Sequence, residues 1–154
     1  MADRTDQTAI KALHDLIATC RDAQEGYGKA AKGVHNPRLS DRLAMLSGTR
    51  ARFADELGKF VNSMGDPATN DLHAGGIFHQ GWVDLEARIR PKSEVEIVRE
   101  CILGDQGTVK HYQHALTVLL DSEARHLVER QLDELQKELD ELQRLTEKGQ
   151  VQHA

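Results

Sequence analysis

Aromatic residues make up only 4% of this 154-residue chain: three Phe, two Tyr and one Trp. That is too few for the stacking platforms on which single-stranded nucleic acid is held. Positive charge is also in short supply. Twenty Lys and Arg face 25 Asp and Glu, for a formal net charge of −5, so the chain carries no basic footprint for a phosphate backbone. No apolar run approaches the roughly 18 residues of a membrane span, and the opening residues do not read as a secretory signal. The two cysteines, Cys20 and Cys101, are too few for a disulfide framework. Both lie on apolar helix faces, which marks them as buried thiols of a reducing compartment. The chain is therefore expected to be cytoplasmic, with neither nucleic acid nor membrane as partner. It also lacks a Ser-His-Asp arrangement and a phosphate-cradling glycine loop.

What is present is helix-forming: Leu, Ala, Glu, Gln, Lys and Arg dominate, and there are only three prolines. The length suits a single domain spanning residues 1–154. A first helix is expected from Asp6 to Gly33, with Leu13, Leu16, Ile17, Cys20, Tyr27, Ala31 and Val34 as its stripe and Gln24 just inside the edge. Asn36-Pro37 starts a second, running to Met64, whose stripe holds Leu39, Leu43, Leu46, Phe53, Leu57, Phe60, Val61 and Met64. Arg50 lies inside that stripe. After Gly65-Asp66-Pro67 comes a shorter, glycine-weakened helical piece at residues 69–90, with Phe78, Trp82, Leu85 and Ile89 along one edge. Ser93, with Glu96 three residues on, caps a third long helix from Glu94 to Leu120. A leucine-rich fourth follows the Asp121-Ser122 turn to Lys148, and residues 149–154 should fray. Two short connections and one of nearly 30 residues predict an all-α, ferritin-like four-helix bundle. Its crossover helix makes the second and third long helices parallel.

Several residues in this order resemble a bacterial family of uncharacterised ferritin-like four-helix-bundle proteins: Glu25-Gly26-Tyr27 with Ala30-Ala31, Arg50 with Phe53, Glu56 and Leu57, His79 with Gly81-Trp82, and Glu100-Cys101 with Gly104 and Tyr112. The resemblance covers residues 10–145 and implies a fold and a loose link to stress physiology, not a reaction. The chain departs from its relatives at Ile102, Gln106 and Leu139, where acidic or histidine ligands are absent.

Chemistry in such bundles needs a Glu from each of two helices and a Glu-x-x-His from each of the others. Here Glu56, Glu100 and Glu138 are followed three residues on by Lys59, Leu103 and Glu141. The motif is incomplete, leaving Glu25, Glu56, Glu100, Asp105 and Glu138 as the weaker alternative set for iron, manganese or another divalent metal. His111 and His114 have a zinc-like spacing but fall on the outer side of their helix, where any metal would be adventitious. His79 and Trp82 mark a crossover groove, read chiefly as packing.

Asp105 is the residue on which the reading turns, because it sits in the middle of an apolar face and needs a positive partner. Counting from the helix ends gives a buried polar layer of Cys20 or Gln24, Arg50, Asp105 and Glu138, with Gln131 two turns away. Arg50 is expected to bond Asp105 or Glu138 in the place of metals. The resulting expectation is a non-enzymatic, stress-associated structural or interaction protein without cofactor, forming a homo-oligomer, in first place a dimer. A metal-binding oxidase or storage protein and a binding module built on the crossover groove are the alternatives.

Overall fold

The computed structural model describes residues 4–65, 82, 93–119 and 122–147. These form four helices, α1 (Arg4–Gly33), α2 (Pro37–Ser63), α3 (Glu94–Val118) and α4 (Ser122–Glu147), and include no strand. The sequence anticipates each boundary to within about two residues because the stop and start signals are local. Asn36 caps α2, its side chain accepting from the amides of Arg38 and Leu39, and Pro37 occupies the first turn, where no amide proton is needed. Ser93 accepts from the Glu96 amide at the start of α3 and donates to the Glu96 carboxylate. At the far end, Arg125 donates to the carbonyls of Leu116 and Leu119 and so covers the end of α3.

Contacts between helices fix their directions. Glu94 Oε1 accepts from the amides of His35 and Asn36 at 2.6 and 2.9 Å, which pins the start of α3 to the α1–α2 turn. Farther along, Tyr27 meets Asp105 and Cys20 meets Tyr112, so α1 and α3 are antiparallel. Since α1 and α2 form a hairpin, α2 and α3 are parallel, as the long connection predicts. The end of α2 and the start of α3 therefore lie at opposite ends of the bundle. The crossover helix expected at 69–90 lies outside the described residues except for Trp82, and so do His79 and the tail at 149–154.

Among the described residues the apolar interior falls into two blocks. One gathers Leu13, Leu16, Phe53, Leu57, Leu119, Val128 and Leu135; the other gathers Tyr27, Leu39, Leu43, Trp82, Ile97, Val98 and Leu142. On α2 the boundary falls at Arg50, between Leu46 and Phe53. On α3 and α4 it falls at Asp105 and Glu138. The α2–α4 seam is spanned by charge instead, with Arg42 paired to Glu141 and Arg52 to Glu134.

Trp82 is buried against α1 and α3. Its ring lies 5.0 Å from that of Tyr27, and its indole nitrogen donates to the Thr108 hydroxyl at 3.4 Å. The room for it comes from Gly26 and Gly104 on the two helices: a Cβ there would stand 2.1 and 2.5 Å from the indole. Gly48 and Gly107 differ, since a Cβ there would meet nothing within 4 Å. Gly26→Ala and Gly104→Ala should each cost about 1–3 kcal/mol through overpacking and shift Trp82 fluorescence to the red. Gly48→Ala and Gly107→Ala should instead stabilise by about 0.5–1 kcal/mol. Urea unfolding of the four variants checks this; equal midpoints for all four would remove the wedge.

Candidate functional site

Each of the four helices contributes one side chain to the layer between the two apolar blocks. Arg50 comes from α2 and is 0% exposed. Its Nη2 donates to Asp105 Oδ2 at 2.7 Å and its Nε reaches Asp105 Oδ1 at 3.4 Å, a fork on the α3 carboxylate. Nη1 donates to Glu138 Oε1 of α4 at 2.7 Å. From α1, Tyr27 donates its hydroxyl proton to Asp105 Oδ2 at 2.5 Å. The guanidinium carbon also lies 5.6 Å from the Tyr27 ring centre and 5.3 Å from that of Phe53, an aromatic cradle for its planar faces.

The electrostatics follow from burial. Removal from water opposes the charge on Arg50, but the Asp105 carboxylate, supported by Glu138, outweighs it and holds the guanidinium protonated. Glu138 is a different case, with its side chain 20% exposed. Burial pushes its carboxyl above the ordinary range, and Arg50 offsets only part of this. Tyr27 is raised well above an ordinary phenol by burial first and by Asp105 next.

About two turns along the bundle lies a second polar layer, without a central cation. The Tyr112 hydroxyl donates to Gln131 Oε1 at 2.7 Å and lies 3.1 Å from the Cys20 sulfur. Gln131 Nε2 in turn donates to the Phe53 carbonyl and to Glu56 Oε1. Burial drives the Cys20 thiol from 9.0 up to about 12, and it raises Tyr112 and Cys101 as well. Both cysteines are free thiols.

The structure thus brings Arg50, Asp105 and Glu138 together, and puts Gln131 in the second layer. Gln24 stands outside both. It is half-buried on the α1–α2 side and accepts from Arg21, which also holds Asp55. Tyr27 takes its place, because α1 is slid along α3: Asp105 faces a point about two turns past the midpoint of α1. The available sequence signal was a phenol on an apolar stripe, whose hydroxyl needs a partner once buried.

The weaker metal set does not assemble. Glu25 is exposed and pairs with Lys29, Glu56 binds Gln131 in the second layer, and Glu100 is half-buried on another face of α3. Among the described residues no three His, Cys, Asp or Glu side chains group as metal ligands. The Arg50 guanidinium is bonded to both Asp105 and Glu138, so the residues present do not fit a di-metal centre. His114 is exposed, as its helix face predicts. His111 is half-buried, beside a cleft of about 230 Å³ shared with Lys11, Asp15 and Leu16; burial lowers its imidazole pKa, against the pull of Asp15.

A family model described as Domain of unknown function (DUF2383) matches residues 8–118. The chain belongs to that family. None of the curated proteins compared with the chain matches it. The family match takes in Tyr27, Arg50, Trp82 and Asp105 and ends before α4, so Glu138 and Gln131 lie beyond it. No helix among the described residues is long and apolar enough to cross a membrane.

Replacing Arg50 by Met should strand Asp105 and cost about 3–5 kcal/mol. Arg50→Met with Asp105→Asn should recover a large part of that, a coupling that a double-mutant cycle in urea measures directly. Alkali gives a second check. Tyr27, Tyr112, Cys20 and Cys101 hold their protons more tightly in the fold than in the unfolded chain. Their contribution to stability is complete below the unfolded values of 9.0 for thiols and 10.0 for phenols and is lost as pH rises beyond them. Each group should contribute a slope of about 1.4 kcal/mol per pH unit. Both tyrosines of the chain are buried, so ultraviolet titration should show no tyrosinate until unfolding, and then both together.

Proposed function

We propose that the chain is a ferritin-like bundle of a stress-associated, cytoplasmic bacterial protein that works as a structural or interaction module, not as a metal oxidase. The observation that supports this most directly is Arg50, fully buried and bonded to both carboxylates of the central layer. An internal guanidinium supplies the positive charge that such a layer otherwise takes from metal, and it does so permanently. The Glu-x-x-His pair of the four helices, Glu123 and His126 near the start of α4, is exposed and does not face the central layer, which points the same way. The stress link and the bacterial setting rest on the resemblance of the sequence to its family alone. Association with a second copy belongs to the same reading: Met45 and Leu103, 73% and 58% exposed, leave apolar side chains at the surface of α2 and α3.

The test is elemental analysis and light scattering on untagged protein loaded with iron, manganese or zinc and then desalted. The expected result is substoichiometric metal that Arg50→Met does not remove, in a particle twice the 17.2 kDa chain mass. One or two equivalents of iron or manganese, lost on Asp105→Asn, would overturn the reading in favour of a metal-binding protein.

A further inference from the structure

We propose that Tyr27 is a redox-active tyrosine, with Trp82 as the point of entry for a one-electron oxidant and Asp105 as the acceptor of the phenol proton. The proposal goes beyond the structural role above. It rests on three features of one place: an indole in van der Waals contact with a phenol, a short hydrogen bond from that phenol to a carboxylate, and the charge of the cluster behind it.

Trp82 is 7% exposed and Tyr27 fully buried, so a diffusible radical meets the indole first. The ring centres lie 5.0 Å apart, a separation across which an electron passes without an intermediate. The indole N–H donates to the Thr108 hydroxyl, itself hydrogen-bonded to the Gly104 carbonyl. An alcohol is a poor proton acceptor, so an oxidised Trp82 keeps its N–H proton and stays strongly oxidising. Tyr27 has the opposite surroundings, with its O–H pointing at Asp105 Oδ2 over 2.5 Å. Arg50, Asp105 and Glu138 together carry one cation and two carboxylates. That excess negative charge is costly in the interior, and a proton arriving on Asp105 removes it, leaving the Arg50–Glu138 pair neutral.

The step balances. An oxygen- or nitrogen-centred radical takes one electron from the indole and is reduced. The indole radical cation takes one electron from Tyr27, whose hydroxyl proton moves to Asp105. What remains is an intact Trp82, a neutral tyrosyl radical and a protonated carboxyl. Tyr112 is the internal control: its hydroxyl donates to the Gln131 amide carbonyl, which takes up no proton.

Pulse radiolysis of the full chain with azidyl radicals tests this by following the indolyl and tyrosyl absorption bands. The expected course is decay of the indolyl band with matching growth of the tyrosyl band, at a rate unchanged by dilution. Tyr27→Phe should abolish the tyrosyl band and prolong the indolyl one, and Tyr112→Phe should leave both as in the native chain. Trp82→Phe should lose both bands. Glu138→Gln, which removes the excess charge and leaves the Tyr27–Asp105 bond in place, should slow the conversion. An indolyl band that decays without a tyrosyl product overturns the proposal. So does conversion that survives Tyr27→Phe, disappears in Tyr112→Phe, or proceeds at the native rate in Glu138→Gln.

Discussion

A guanidinium taken fully out of water has a planar set of N–H donors that must find acceptors and a charge that must find a partner. Three of the nitrogen atoms of Arg50 are each aimed at a carboxylate oxygen, two at Asp105 and one at Glu138. That requirement fixes the relative height of α2, α3 and α4 to within the length of a hydrogen bond. Aliphatic cores tolerate a slide of one helix along another at modest cost, because one leucine packs much like the next. A fork of hydrogen bonds does not. The two apolar blocks on either side therefore take their register from the layer between them.

Such a layer adds little to net stability, since desolvation offsets most of its Coulombic attraction. Its structural value lies in excluding other arrangements of the same helices. Glu138 shows how the cost is contained: it reaches Arg50 from the rim, keeps one side toward solvent, and has its carboxyl raised by the burial that it does accept. Arg42–Glu141 and Arg52–Glu134 continue the charge pairing along the same seam, where α2 and α4 meet through side chains longer than those of the aliphatic seams.

Trp82 connects this layer to the long connection between the hairpins. It occupies a groove that exists because both facing helices have glycine at the point of contact, and it rests on the same Tyr27 whose hydroxyl holds Asp105. Shape at one end of the Tyr27 side chain and charge at the other are thus linked through a single ring. A residue placed this way serves packing, and its surroundings also suit electron and proton movement, with an oxidisable indole on one side to take an electron and a carboxylate on the other to take a proton.

The boundaries of the four described helices and the parallel placement of α2 and α3 were legible in the residue order because they depend on local facts: 3.6-residue periodicity, caps such as Asn36 and Ser93, and connection lengths. The need of Asp105 for a cation and the candidacy of Arg50 were legible for the same reason, as each is a charge inside an apolar stripe. Tyr27, not Gln24, completes the layer, and that was decided by the slide of α1 along α3. No single helix encodes this offset; it emerges when caps, Trp82 and the buried hydrogen bonds are satisfied together. The groove glycines tell the same story. Gly26 and Gly104 stand 78 residues apart, and like the Tyr27–Asp105 pair beside them they acquire a shared purpose only once the helices that carry them meet around one indole.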